Sequence, residues 1–239
     1  MKAMRNRLVL FLMLTAPLVL ALMGPAPLVA SAQTATPPDL VITWRATDSS
    51  VPSTYLDKAL PGVGSPITAS AEVVLNGALV NLSSQTIYWY LDGNLIGGGT
   101  GEQTISFTAP GFVEIASLRA EVPNYSSGAL INTAHIQMVN PEAVIIVPYP
   151  NGEYTGSSIA AQAAPYFFST SQLDELYYQW VVNGQAVTTQ ENPQDLTIDL
   201  ANGTSTSAGV PISIGLTVQQ TNSPSINAQS SITLNPLSQ

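Results

Sequence analysis

The chain has 239 residues, with 15 Asp and Glu against six Lys and Arg, a formal net charge of −9, and no cysteine. The missing thiols exclude disulfides, thiol catalysis and thiolate metal sites. The acidic balance disfavours nucleic acid, whose binding needs basic residues against phosphates, and the length suits two ordinary domains.

Lys2, Arg5 and Arg7 precede an apolar run from Leu8 to Met23, the helix-breaking "GPAP", and Ala30-Ser31-Ala32. This three-part pattern predicts a secretory signal peptide over 1–32, with the mature chain starting at Gln33. Pro17 interrupts the run, which is short for a membrane span of about 20 residues. An uncleaved segment would be the chain's only membrane contact. Past residue 32 only Arg45, Lys58 and Arg119 are basic while all 15 acids remain, so the mature net charge is 3 − 15, or −12. A surface carried instead by Ser, Thr, Asn, Gln and Gly is common among extracellular and envelope β proteins.

Beyond the signal, runs of Val, Ile, Thr and Tyr alternate with Gly, Pro, Asn and Ser clusters about every ten residues, which predicts an all-β chain. "TIYWYLDGNLIGGG" (86–99) and "LYYQWVVNGQAVTT" (176–189) are two versions of one phrase, with Trp89 and Trp180, and Gly93 and Gly184, each 91 residues apart (180 − 89). Ile87, Trp89 and Leu91 share one strand face, and Tyr88 and Tyr90 the other. In the second copy Tyr178, Trp180 and Val182 oppose Tyr177, Gln179 and Val181. Each Trp is expected to fill a core, and Asp92-Gly93 and Asn183-Gly184 to turn tight hairpins.

Between the copies, "NLIGGGTGEQ" predicts a flexible turn; it lacks the Lys and the following helix of a phosphate loop. In "FVEIASLRAEV", Val113 and Ile115 lie on one parity and Leu118, Ala120 and Val122 on the other, which predicts a bulge near Ala116-Ser117. Further on, "STSQLDELYYQ" accommodates one helical turn, and in "APYFFSTSQ" Phe167 and Phe168 point opposite ways, one into a core and one toward a domain interface. Leu196, Ile198 and Leu200, and then Ile212, Ile214, Leu216 and Val218, alternate as half-buried strands. "EQTISFTAP" matches "PQDLTIDLAN", "FVEIASLRAEVPN" matches "VPISIGLTVQQTN", and "INTAHIQMVNP" matches "INAQSSITLNP". A repeat of this length is a duplicated domain, with domains expected at 33–140 and 141–239.

"IYWYLDGNLI" and "YYQWVVNGQAV" resemble the third strand and following turn of immunoglobulin-like modules of bacterial surface proteins, and the related PKD-type modules. The paired Cys of many such domains and the PKD motif "WDFGDG" are absent. The resemblance implies two tandem immunoglobulin-like β-sandwiches in a spacer, adhesion or recognition role, and implies no activity.

No catalytic constellation accompanies this pattern. His135, the single histidine, is expected to face solvent on the last strand of the first domain. No G-x-S-x-G, H-E-x-x-H or S-x-x-K motif is present, and Asp174-Glu175 reads as an ordinary acidic pair. One His and no Cys disfavour zinc, copper and iron. Calcium takes oxygen ligands, but Asp48, Asp57, Glu121 and Glu142 are scattered and no D-x-D-x-D-G loop occurs. The expectation is therefore no enzyme, no cofactor and no metal site.

The candidate contact residues are Tyr88, Tyr90 and Tyr177, outward-facing aromatics suited to a protein partner or to stacking on a glycan. Sequons stand at Asn81, Asn124 and Asn202. The composite expectation is an exported, non-enzymatic surface or envelope protein, extracellular or periplasmic, acting in adhesion or in assembly with a pilus-like apparatus through a protein partner. The alternative is a carbohydrate-binding accessory module.

Overall fold

A computed structural model describes residues 36–237, apart from 112, 127, 189–191 and 201–209. The expected signal segment 1–32 and the Asn202 sequon lie outside the described residues.

The first half contains β1 (Asp39–Ala46), β2 (Pro66–Leu75), β3 (Ala78–Val80), β4 (Thr86–Leu91), β5 (Asn94–Thr100), β6 (Thr104–Thr108), β7 (Ile115–Tyr125) and β8 (Gly128–Gln137). Strand β2 pairs with β1 on one edge and with β6 and β3 on the other, while the facing sheet runs β5-β4-β7-β8, all antiparallel.

The second half contains β9 (Glu142–Ile146), β10 (Glu153–Tyr154), β11 (Ser158–Tyr166), a 3-10 turn (Leu173–Glu175), β12 (Leu176–Val182), β13 (Gln185–Val187), β14 (Asp195–Asp199), β15 (Ile212–Gln220) and β16 (Ser223–Pro236). Its sheets run β14-β11-β9 and β10-β16-β15-β12-β13. The order of the first half thus recurs: β9, β11 and β14 repeat β1, β2 and β6, and β13-β12-β15-β16 repeat β5-β4-β7-β8. A short sheet of first, second and fifth strands over a sheet built on the third, sixth and seventh is the immunoglobulin-like sandwich order. The short β10 alone pairs in parallel, laying Glu153 and Tyr154 beside Asn235 and Pro236 of β16.

Each pair of sheets encloses its own core. Leu40, Ile67, Val73, Ile87, Trp89, Leu118, Val122 and Ile136 are among those forming one, and Ile159, Phe168, Tyr178, Trp180, Ile198, Ile214, Leu216 and Val218 among those forming the other. The two tryptophans are 0% and 1% exposed. A buried indole N–H needs an acceptor, and both find one 13 residues on: Trp89 Nε1 donates to the Glu102 carbonyl at 2.9 Å, and Trp180 Nε1 to that of Pro193 at 3.0 Å. The hairpin turns also match. Asp92 and Gly93 have φ of 49° and 83°, Asn183 and Gly184 49° and 82°, positive at both positions as a type I′ turn requires. Asp92 Oδ1 accepts the Ser117 N–H at 2.8 Å, and Asn183 Oδ1 the Ser213 N–H at 2.9 Å.

Two expectations fail. "NLIGGG" is no flexible turn: Asn94–Thr100 is strand β5, paired to β4 with a bulge between Trp89 and Tyr90. Its glycines permit close approach. A Cβ on Gly98 would lie 2.5 Å from the Ile87 carbonyl oxygen and 2.7 Å from Tyr88 Cδ1, and one on Gly97 2.6 Å from Ile105 Cδ1. Nor is there a bulge at Ala116-Ser117. Strand β7 pairs with β8 in unbroken register from Ile115 to Val122, and the irregularity comes between Val122 and Tyr125. Ile115 and Val113 simply face outward, 57% and 38% exposed.

Candidate functional site

The alternation of β4 and β12 turns the three candidate tyrosines away from the cores, and the structure divides them between two sheets. Tyr88 and Tyr90 lie on the outward face of β5-β4-β7-β8, cross-strand from Glu121 and Arg119. Arg119 donates to Glu121 at 3.0 Å and places its guanidinium 3.9 Å from the Tyr90 ring centroid, a cation–π geometry that covers one ring face. Ile131 and Leu95 are exposed on the same sheet, Ile131 opposite Glu121 and Leu95 opposite Tyr90. His135 is exposed on β8, its Nδ1 3.4 Å from Ser117 Oγ.

Tyr177 stands on the corresponding face of the second half, 54% exposed. Its row runs Tyr177–Gln219–Asn227, and the next Gln179–Thr217–Gln229. No outward-facing residue of β12, β15 or β16 is charged. The two outward faces therefore differ in chemistry: one carries an ion pair over a tyrosine, the other a neutral array of amides and hydroxyls around one aromatic.

A third feature joins the halves. Residues 47–65, between β1 and β2, reach the segment after β11. Phe167 N–H donates to the Ser50 carbonyl at 2.6 Å and Ser50 N–H to the Phe168 carbonyl at 2.9 Å. Phe168 N–H also donates to Ser50 Oγ at 2.9 Å. Phe167 has φ of +60°, an unfavourable backbone for a bulky residue, and these bonds hold it. Its ring meets Tyr55 and Tyr166 at centroid distances of 5.9 and 5.8 Å, while Phe168 is fully buried in the second core. The aromatic pair thus splits between core and junction. Asp48 Oδ1 accepts from Ser171 Oγ at 3.1 Å, so this acid serves the same clasp. An open cavity of about 580 Å³ also lies at the junction, lined mainly by Val63, Val113, Met138, Pro141 and Ile226, with Glu114 its one charged residue.

Sequence reasoning had assigned no role to Trp44, Ser50 or Gly62. Trp44 lies under Lys58, whose Nζ is 3.1 Å from the ring centroid; burial lowers the Lys58 pKa below the ordinary lysine value. Its strand showed the alternation Leu40, Ile42, Trp44 and could have been found. Two of the three basic residues after position 32 thus sit on aromatic rings. Among the described residues no three His, Asp or Glu side chains gather as metal ligands. Glu175 instead accepts Thr170 Oγ1 at 2.7 Å.

The Tyr178 phenol is held away from water. It is buried against the second core, its hydroxyl donates to the Leu173 carbonyl at 3.3 Å, and desolvation pushes its pKa up to about 12. An unfolded tyrosine ionises near pH 10. Between those values the folded chain binds more protons, so this contribution is complete below pH 10 and is lost as pH rises toward 12. Urea midpoints measured from pH 9 to 12 should therefore fall more steeply for the wild type than for Tyr178→Phe. Parallel curves would contradict this.

No protein-family model matches the chain, and no curated protein matches it. Several solved structures are similar. The three N-terminal domains of the highly immunogenic outer capsid protein Hoc of bacteriophage RB49 align over 84% of this chain at 16% identity and a TM-score of 0.47. The chain spans 59% of that structure's length. The fibronectin(III)-like modules of Clostridium thermocellum CbhA align over 83% of this chain and 97% of their own, at 12% identity and a TM-score of 0.31. Immunoglobulin domains 1–4 of Sidekick-1 align over 82% of this chain and 66% of their own, at 16% identity and a TM-score of 0.26.

Proposed function

We propose that this chain is a non-enzymatic, exported protein of the cell surface or envelope. In this reading it comprises two tandem immunoglobulin-like domains, 33–140 and 141–239, and acts in adhesion or in assembly with a larger surface apparatus such as a pilus. The observation that carries the reading is the duplicated sandwich joined by the Ser50–Phe167–Phe168 clasp. A sandwich repeated in tandem and hydrogen-bonded across its junction holds two sets of outward faces in fixed relation, as a module acting by contact requires. The acidic, disulfide-free surface and the signal-like N-terminus support the export part of the reading.

The test is to express the chain with a C-terminal tag in its producing cell, fractionate, and sequence the N-terminus. The expected result is a chain beginning at Gln33, outside the cytoplasm, that enters a larger species on crosslinking in intact cells. An unprocessed chain in the cytoplasm would overturn the export reading, and a processed chain that crosslinks to nothing would overturn assembly.

A further inference from the structure

We infer that the outward face of β12, β15 and β16 is a binding surface for a neutral polysaccharide, with Tyr177 as its stacking platform. Three observations carry this.

The first is charge. The chain after residue 32 carries −12 (three basic against 15 acidic residues), yet the outward positions of these three long strands hold only Tyr, Gln, Asn, Ser, Thr, Val and Gly. The equivalent face of the first half carries Arg119 and Glu121. Glu153 of β10 faces outward beside Asn235, at the far end of β16 from Asn227; the uncharged patch around Tyr177 on this strongly acidic protein fits a neutral ligand and gives no counter-ion to an anionic polymer, which the protein's field also repels. It gives a cationic peptide no carboxylate to pair with.

The second is the aromatic. Tyr177 is 54% exposed, and the ring–ring contacts among the described residues are those of Tyr55, Tyr166 and Phe167. No cation covers it, unlike Tyr90. An uncovered phenol ring on a strand's outward face offers the apolar face of a sugar ring a partner of matching size, with its hydroxyl at the wet edge.

The third is preorganisation. Beside Tyr177, Gln219 Nε2 donates to the Pro224 carbonyl at 3.0 Å and Asn227 Nδ2 to the same oxygen at 3.2 Å. Both amides are fixed with their carbonyl oxygens left as acceptors for sugar hydroxyls. The next row supplies Gln179, Thr217 and Gln229. Rows about 6.8 Å apart on strands about 4.8 Å apart form a polar grid, with a register irregularity at Gln219/Gln220 beside the Tyr177 row, that a polysaccharide chain, rather than a single sugar, would cover. Holding these amides in advance lowers the ordering cost on binding.

The experiment is native affinity electrophoresis of the purified chain through gels containing a mixed-linkage β-glucan, a galactomannan, dextran or, as the anionic comparison, alginate. The expected result is retardation by at least one neutral polymer and none by alginate. Tyr177→Ala should weaken it about tenfold or more, Tyr177→Phe should retain most of it, and Tyr90→Ala should leave it unchanged. Tyr177 lies outside both cores, so thermal melts of its variants should match the wild type and exclude misfolding as the cause. Mobility unchanged in every neutral polymer, retardation that survives Tyr177→Ala, or retardation by alginate alone would each overturn the assignment. A processed, exported chain that binds no glycan would leave the surface-protein reading standing and remove this one.

Discussion

Trp89→Ala and Trp180→Ala should each destabilise the chain by about 3–5 kcal/mol, the range for removing a large aromatic from a packed interior. Both indoles are essentially inaccessible, and each substitution also strands a carbonyl, that of Glu102 or Pro193, which loses its N–H partner. Against a typical folding free energy of 5–15 kcal/mol, either change removes a large share. The two cores have no residue in common, so the losses should be additive in the double variant within about 0.5 kcal/mol. Urea unfolding followed by tryptophan fluorescence and by circular dichroism gives the measurement, since each variant leaves the other indole as a reporter. A loss under about 1 kcal/mol at either position would show that the indole is not a core plug. Trp89→Phe and Trp180→Phe should cost less, because the ring volume is largely kept while the N–H bond is lost.

The repeated strand and turn were legible because their determinants are local. A period of two places Trp89 with Ile87 and Trp180 with Tyr178, and Asp-Gly and Asn-Gly supply the positive φ values that the hairpins adopt. The failures share the opposite cause. "IGGG" reads as a turn when only its neighbours in sequence are considered. Its glycines answer instead to Ile87, Tyr88 and Ile105, which other strands bring against them. The parity break at Val113 and Ile115 predicts a bulge only where both apolar residues are buried. In the structure both face outward, Val113 lining the junction cavity. The clasp was illegible for the same reason: Ser50 and Phe168 are 118 positions apart, and nothing near Ser50 marks it as a buried partner. For the candidate site, alternation sufficed to point Tyr177 outward. What surrounds it depends on the register of β15 and β16, which sets Gln219 and Asn227 in its row and makes that face neutral while the Tyr88–Tyr90 face is charged.

Gly62→Ala should open the junction without unfolding either sandwich. A Cβ at Gly62 would clash with the Phe167 carbonyl oxygen and stand 3.3 Å from its carbon, against backbone rather than the end of a flexible side chain. The Gly62 backbone is itself tied down, its N–H donating to Ser65 Oγ at 3.1 Å and its carbonyl accepting the Ser65 N–H at 3.1 Å, and Ser65 is fully buried. The methyl group must therefore push Phe167 off. That movement breaks the Phe167–Ser50 bonds and releases a residue already held at positive φ, whose return to ordinary backbone favours the opened state. The expected cost is about 1–3 kcal/mol, as for other overpacked sites, and it should be spatially confined. In hydrogen exchange, the amides of Ser50, Phe167 and Phe168 should lose protection while those of β4 and β12 keep theirs. Ser50→Ala is the gentler companion: it removes only the Oγ acceptor of Phe168 N–H and should reduce protection at that amide alone. Unchanged exchange at all three amides in Gly62→Ala would mean the halves are not joined by this clasp, and the fixed relation between their faces would lose its structural basis.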